Sequence, residues 1–208
     1  MGNSVDSICG PVCYTRVKLV LIGLDSAGKT AILNRFTAKP QCQAPYQPTV
    51  GANHQMFTWS RLRVSAWDFG GSPHSRPIWK KYYSSVDVVV FVVDCSDYKR
   101  FDEARCEFRK AVTDKKLSRN ALVLVYANKQ DLPGAVLPCQ VEVRFGMNSL
   151  KKGTWKIQPS SAHTCEGLFE GLAWIKRTIK GNNASKVKTE SDEVKCHDED
   201  GQERSDPH

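Results

Sequence analysis

The chain lacks the features that would place it outside the cell or within a membrane. Its eight cysteines form no C-x-x-C pair and no spacing typical of a disulfide framework, which predicts a reducing, cytoplasmic compartment. The cysteines and the five histidines never come at zinc-binding spacing. No run of about eighteen apolar residues is long enough to cross a bilayer, and no charged segment followed by an apolar one indicates a secretory signal.

A nucleic-acid-binding module is also missing, although the charge alone would suit one. The 208 residues carry a formal net charge of +8, yet residues 181–208 contain four Lys/Arg and eight Asp/Glu, so residues 1–180 carry +12. Without an aromatic RNP-type pattern, a zinc finger or a basic helix, we expect no nucleic-acid partner, and the basic charge favours the anionic surface of a membrane. The alternative is a basic surface that is simply solvated.

The composition divides the chain into three parts. Residues 17–180 contain apolar runs and helical periodicity, which predict one α/β domain. Residues 1–16 form a short leader. Residues 181–208 are polar and acidic, which predicts a disordered tail, and they end without a C-a-a-X box, so prenylation is not expected.

One stretch matches a phosphate-binding motif at every fixed position. Residues 23–30, GLDSAGKT, fit G-x-x-x-x-G-K-[ST] and lie between an apolar run that predicts a strand and a segment that predicts a helix. Glycines let successive N–H groups turn toward phosphate oxygens, and the helix directs its positive end at the same anion. Lys29 would neutralise the β- and γ-phosphates, and the Thr30 hydroxyl would bind Mg²⁺. The predicted nucleotide contacts in this loop are Gly23, Asp25, Ser26, Ala27, Gly28, Lys29 and Thr30.

Two further segments are predicted to sense the γ-phosphate. Thr49 follows a loop rich in proline and glutamine, and a threonine there can bind Mg²⁺ when the γ-phosphate is present. Asp68 and Gly71 follow a predicted hairpin; the carboxylate would hold Mg²⁺ through water, and the Gly71 N–H would reach the γ-phosphate. The predicted Mg²⁺ ligands are Thr30, Thr49 and Asp68. The predicted catalytic groups are Lys29, Thr49 and Gly71.

A second motif predicts which base is bound. Asn128-Lys129-Gln130-Asp131 follows a buried apolar run. Guanine presents N1–H and N2–H₂ donors that the Asp131 carboxylate can accept as a pair, whereas adenine would leave it unpaired, which disfavours an adenine-nucleotide enzyme. The Ala162 N–H, after the last predicted strand, would meet guanine O6. The predicted base contacts are Asn128, Lys129, Asp131, Ser161 and Ala162.

The N-terminus predicts a lipid anchor. Gly2 begins a partial N-myristoylation pattern, in which Asp6 stands where Ser or Thr is expected. Cys9 and Cys13 are candidates for a palmitoyl chain, which matters because one myristoyl chain anchors only marginally. The alternative is an unmodified leader.

Together these motifs resemble the Arf family of small GTP-binding proteins (ADP-ribosylation factors and Arf-like proteins), and residues 17–180 are identified as a member. The segments that carry the resemblance are GLDSAGKT (23–30), PTVG (48–51), WDFGG (67–71), RPIWKKYY (76–83), NKQDLP (128–133) and SAHTCEGL (161–168). The resemblance implies a P-loop NTPase fold with a six-stranded, mostly parallel sheet, one antiparallel edge strand and helices on both faces.

The family's cycle implies what this chain binds. GTP and Mg²⁺ would order the loop at Thr49 and the segment after Gly71, and hydrolysis would release both. The hairpin over residues 51–67 would shift register and couple the nucleotide to an N-terminal membrane anchor. Exchange factors, GTPase activators and effectors would bind through residues 48–85. The expected role is a GTP/GDP switch in vesicle traffic or signalling at a Golgi, endosomal or plasma membrane.

Two departures from the family pattern affect this expectation. Ser72, followed by Pro73, stands where the family has a glutamine that orients the attacking water, and a serine is too short for that role. This predicts slow intrinsic hydrolysis and a population biased toward GTP; the alternative function is a mainly GTP-bound interaction scaffold with negligible hydrolysis. Ala52 stands where the family usually has the phenylalanine of an aromatic trio, of which Trp67 and Tyr82 remain.

Overall fold

Runs of buried β-branched and aliphatic residues build the centre of a six-stranded sheet. The computed structural model describes residues 14–37, 49, 51–150 and 153–197, with side chains up to residue 182. All of β5 (Leu122–Asn128) and all but the last residue of β4 (Val88–Asp94) are buried, a pattern typical of parallel strands covered on both faces. The remaining strands are β1 (Thr15–Ile22), β2 (Ala52–Trp59), β3 (Leu62–Phe69) and β6 (Trp155–Pro159).

The sheet has the predicted topology. The strand order is β2-β3-β1-β4-β5-β6, and every neighbouring pair is parallel except β2 with β3. The carboxyl ends of the parallel strands therefore lie along one edge, where an open α/β sheet binds its ligands. The expected P-loop fold with one antiparallel edge strand is confirmed.

The antiparallel edge is a hairpin with a tight turn. Ala52 pairs with Phe69 at one end and Trp59 with Leu62 at the other. The two turn residues, Ser60 and Arg61, have φ values of 46° and 67°, which is the conformation of a type I′ turn that matches the twist of paired strands. The turn fixes the register of β2 on β3, in which Asn53 lies opposite Asp68, whereas the parallel pairing of β3 with β1 places Asp68 opposite Leu21, near the phosphate-binding loop.

The described residues form four α-helices: α1 (Lys29–Phe36), α2 (Phe101–Thr113), α3 (Pro138–Phe145) and α4 (Leu168–His197). Helix α2 buries an apolar stripe, and its Phe108 packs edge-on against Phe91 of β4 at 5.3 Å between ring centroids. Phe145 of α3 joins the same cluster. Short 3₁₀ helices cover Arg76–Lys81, Tyr83–Ser85, Tyr98–Arg100 and Met147–Ser149.

Two helices differ from the sequence-based expectation. Helix α3 was not predicted. Helix α4 continues through residues 181–197, where we expected disorder; this stretch has no proline and a single glycine, Gly181, so its backbone can extend the helix. Residues 198–208 lie outside the described residues, as do Gly2, Cys9 and Cys13.

The described chain divides into two units after Gly171. The first holds the sheet, α1 to α3 and the beginning of α4. The second consists of α4 from Leu172 onward. None of the helices in the described ranges is both long and apolar enough to cross a membrane.

Candidate functional site

The loop between β1 and α1 is shaped by glycines that no other residue can replace. Gly23 and Gly28 have φ values of 139° and 98°. A Cβ added at Gly23 would lie 2.3 Å from the Val92 carbonyl oxygen, and one at Gly28 would lie 2.4 Å from Nδ2 of Asn128. Just before α1 begins, the loop therefore packs closely against β4 and against Asn128, the last residue of β5. This is the strand, loop and helix arrangement that the motif requires.

Lys29 is buried inside this loop. Its side chain is 2 % exposed, and its ammonium donates hydrogen bonds to the carbonyl oxygens of Gly23 at 3.0 Å and Leu24 at 2.7 Å. Burial lowers the pKa of Lys29 from 10.5 to about 8, although the nearby Asp68 and Asp25 carboxylates oppose that shift. A phosphate group beside this ammonium would restore its charged form.

Three oxygen-bearing side chains from distant parts of the chain meet next to Lys29. The Thr30 and Thr49 hydroxyls lie 2.8 Å apart, and both donate to Oδ2 of Asp68. Asp68 is fully buried, and burial raises the pKa of its carboxyl group. Its other oxygen, Oδ1, is buried without a hydrogen-bond partner among the described residues. An unpartnered carboxylate oxygen between two hydroxyls fits a hard divalent cation such as Mg²⁺.

The segment after β3 lies against the phosphate-binding loop, and side chains that follow it in sequence hold it by hydrogen bonds. A Cβ at Gly71 would lie 2.2 Å from the Asp25 nitrogen, so only glycine fits there. The Gly71 carbonyl oxygen accepts a bond from Nε of Arg76 at 2.8 Å, and the Gly70 carbonyl oxygen accepts one from the Trp79 indole at 3.0 Å. Arg76 also forms an ion pair with Glu103 of α2 at 2.6 Å. The next residue, Ser72, has its hydroxyl 3.0 Å from that of Ser75.

Asn128 connects the phosphate-binding loop to the segment after β6. Its Nδ2 donates to the Ala27 carbonyl oxygen at 2.8 Å, and its Oδ1 accepts the Ala162 N–H at 3.1 Å. The buried Ser161 hydroxyl accepts N–H groups of the two residues that follow Ala162, at 3.1 and 3.0 Å. Asp131 is exposed, and the N–H of the preceding residue, Gln130, donates to the Ser160 carbonyl oxygen at 3.1 Å. The predicted base contacts therefore come together, while the Ala162 contact with guanine O6 stays a prediction because that N–H is bonded to Asn128 here.

The sequence analysis missed three charged residues at this edge. Asp94, at the end of β4, accepts the Lys129 ammonium at 2.6 Å. Arg100 bridges Asp97 and the phosphate-loop residue Asp25, at 2.6 and 2.9 Å. A usable signal existed for Asp94, because it ends a buried strand as Asp68 does. The contact between Arg100 and Asp25 spans 75 residues and has no local pattern.

These features define a class of protein. A glycine-rich loop between a strand and a helix, a buried lysine, a hydroxyl and carboxylate cluster, and an Asn-Lys-x-Asp segment share the carboxyl edge of a parallel sheet. That combination defines a P-loop nucleotide-binding protein.

The family follows from comparison with known proteins. The ADP-ribosylation factor family model matches residues 9–179, and the chain belongs to this family of small GTPases. A solved structure of the Arl6 BBS3 small GTPase from Trypanosoma brucei, with bound nucleotide analogue GppNp, is similar: the identity is 28 % and the TM-score is 0.73. The match covers 80 % of this chain and 98 % of that one.

The buried Lys29 predicts that nucleotide binding takes up a proton in alkaline solution. In the free protein the ammonium loses its proton near pH 8, whereas a bound phosphate keeps it charged. The affinity for GDP should therefore be nearly constant below about pH 7 and fall about tenfold between pH 7 and pH 9. Calorimetry in buffers of different ionisation enthalpy should show close to one proton taken up per nucleotide at pH 9 and very little at pH 7. Equal uptake at both pH values would contradict this prediction.

Proposed function

We propose that this chain is an Arf-like GTP/GDP switch that hydrolyses GTP slowly and therefore resides mainly in its GTP-bound form. The observation that carries the proposal is Ser72, which occupies the family's glutamine position. Its hydroxyl is engaged with Ser75, and its carbonyl oxygen accepts the backbone N–H groups of Ser75 and Arg76 at 2.9 and 3.2 Å. A side chain held in this way is both too short and already bonded, so it is poorly suited to orient water.

The nucleotide would lie along the carboxyl edge of the sheet. Lys29 and the phosphate loop would hold the β- and γ-phosphates, and the Asp131 carboxylate would accept the two guanine donors. Thr30, Thr49 and Asp68 would hold Mg²⁺, which neutralises phosphate charge when bound. The unpartnered Oδ1 of Asp68 supports this assignment.

The position of Thr49 supports a role in sensing the γ-phosphate. Thr49 is 19 positions from both Thr30 and Asp68 in sequence, yet its hydroxyl lies 2.8 Å from the Thr30 hydroxyl and 3.4 Å from Oδ2 of Asp68. A ligand that holds this cluster together would order the preceding loop, and loss of the γ-phosphate would release it. On this proposal, Thr30, Thr49 and Asp68 would detect GTP, whereas Ser72 replaces the side chain that would speed its hydrolysis. This contrast distinguishes the proposed slow switch from a family member that has the glutamine at the position of Ser72.

Regulators and effectors would bind the surface formed by residues 48–85. The described part of this surface includes a cluster of rings: His54 and Trp67 lie 4.4 Å apart between centroids, and Trp67 and Tyr82 lie 5.0 Å apart. Met56, on the same face of β2, is 64 % exposed. Ala52 removes one aromatic member of the usual family surface, so we expect effectors that contact His54 and Met56 instead.

A second candidate function is a GTP-bound scaffold with negligible hydrolysis. Pro73 favours it, because proline fixes its own φ and restricts Ser72 to extended conformations, which limits rearrangement of the segment in the transition state. The two functions differ in whether a partner protein can restore turnover. Single-turnover hydrolysis with and without cell extract separates them, because an extract that accelerates hydrolysis supports the switch.

The substitution Ser72→Gln should accelerate intrinsic single-turnover GTP hydrolysis at least tenfold, because it restores a side chain able to orient water. Intrinsic turnover in small GTPases with the glutamine is itself only about 10⁻⁴ s⁻¹. Ser75→Ala is the matched control, since it removes the hydroxyl partner of Ser72 without supplying an amide, and it should leave the rate unchanged. If Ser72→Gln is no faster than the wild type, the residue at position 72 does not limit hydrolysis.

The nucleotide extracted from purified protein should be mainly GTP. Chromatography of the denatured protein's supernatant measures this directly. Mainly GDP would mean that hydrolysis proceeds without the glutamine and would contradict the slow-switch proposal. Absence of any guanine nucleotide, with added GDP also failing to bind, would contradict the assignment of the base site.

Membrane attachment is proposed to depend on lipid at Gly2, supplemented at Cys9 or Cys13. Full-length protein co-expressed with an N-myristoyltransferase should pellet with anionic vesicles, and Gly2→Ala should remove most of that binding. The double variant Cys9→Ser, Cys13→Ser should retain Gly2 acylation but release more readily from cell membranes. Equal pelleting of wild type and Gly2→Ala would show that the basic surface, and not a lipid, carries attachment.

A further inference from the structure

Arg35 makes an unassigned contact between the phosphate-binding side and the base-binding side of the site. It lies in the last turn of α1, the helix that begins at Lys29. Its Nε donates to the Ala162 carbonyl oxygen at 3.0 Å, and its Nη2 donates to the His163 carbonyl oxygen, also at 3.0 Å. The bonded residues are 127 and 128 positions apart in sequence. A planar guanidinium suits this geometry, because its fork can serve two neighbouring carbonyl groups at once.

The Ala162 peptide is held on both of its polar groups. Its N–H donates to Asn128, and its carbonyl oxygen accepts from Arg35. Asn128 in turn donates to Ala27 in the phosphate loop, and that loop leads directly into α1. These contacts form a closed ring from the phosphate loop through Asn128, Ala162 and Arg35 back to the phosphate loop. Displacement of any member therefore displaces the others.

Residues 161–165, here called the base loop, are also held by bonds that fix the internal shape of the loop. These bonds do not fix its position against α1. The Ser161 hydroxyl accepts the N–H groups of His163 and Thr164, and the Cys165 N–H donates to the Ser161 carbonyl oxygen at 2.9 Å. These bonds are all within residues 161–165. The two bonds from Arg35 instead connect this loop to α1 through its carbonyl oxygens, and together with the Asn128 bond to the Ala162 N–H they hold both sides of the Ala162 peptide.

We propose that Arg35 is a positioning residue for guanine recognition, which acts through the Ala162 peptide and sets the dissociation rate of the nucleotide. The proposal rests on the proposed function, because it requires guanine O6 to bind at the Ala162 N–H. Loss of the two hydrogen bonds from the Arg35 guanidinium lets the base loop move away from α1 and weakens the contact to O6. The phosphate contacts, which the loop at residues 23–30 makes by itself, are affected less.

The experiment compares two nucleotides that differ at position 6 of the base. Dissociation rates are measured for GDP and for 6-thioguanosine 5′-diphosphate, which keeps the phosphates, the N1–H and the exocyclic amine but replaces O6 with sulfur, a weaker hydrogen-bond acceptor. Arg35→Lys should raise the GDP dissociation rate about tenfold, since one ammonium cannot reproduce both bonds, and should raise that of the analogue less than twofold. Arg35→Ala should increase the GDP rate further.

A structural role of Arg35 would give a different result. A positive charge near the end of α1 also stabilises the helix, and Arg35→Lys keeps that charge. Thr37→Ala is the matched control, because the Thr37 hydroxyl, which this change removes, bonds only to the carbonyl oxygens of Leu33 and Asn34 among the described residues. Thr37→Ala should change neither dissociation rate.

The outcomes separate the inference from the proposed function. If wild-type protein retains GDP no longer than the analogue, guanine O6 is not recognised and both are overturned. If wild-type protein discriminates between them but Arg35→Lys raises both rates equally, or neither, guanine binding stands and the positioning role of Arg35 is overturned. A selective loss of GDP retention in Arg35→Lys supports the inference.

Discussion

Two buried charges of opposite sign, Lys29 and Asp68, impose the main constraint on this molecule. Burial lowers the pKa of the lysine and raises that of the aspartate, so the fold disfavours the charged form of each. Loop carbonyl groups and two threonine hydroxyls compensate only in part, and one carboxylate oxygen keeps no partner within the described residues. On the proposed function, a polyphosphate and a divalent cation would supply the missing partners. Ligand binding and folding stability would then be coupled at this site.

The surrounding structure concentrates these groups at one place. The buried strands β4 and β5 end at the carboxyl edge of the sheet. Glycines at positions 23, 28 and 71 let the phosphate loop approach β4, Asn128 and the segment after β3 more closely than a side chain at those positions would allow. Asn128 and Arg35 then extend the same rigid assembly from the phosphate side to the base side. Each connection uses the side chain of one element and the backbone of another. The site is consequently defined by the fold and not by a single motif.

Much of this was predictable from sequence, because its signals are local. Apolar runs identified the strands, and the residues that follow them, Asp68 and Asn128, were placed correctly because parallel strands end along a common edge. Helix α3 was missed since only Val141 and Phe145 of its eight residues are buried, which gives little periodicity. The contacts of Arg35 with Ala162 and of Arg100 with Asp25 were beyond prediction for another reason: these partners lie 127 and 75 positions away, and no local pattern encodes them.

The segment after β3 brings these points together. Gly70 and Gly71 are fixed by Trp79 and by Arg76, which is itself anchored to α2, so the machinery that holds this segment beside the phosphate loop is complete. Within this segment Ser72, followed by Pro73, departs from the family pattern, at the position where the family's glutamine orients the attacking water. On the proposed function, this change would leave the recognition of GTP intact while removing a means of hydrolysing it. The pattern of retained and lost parts therefore favours a protein whose signal is terminated by its partners more than by its own chemistry.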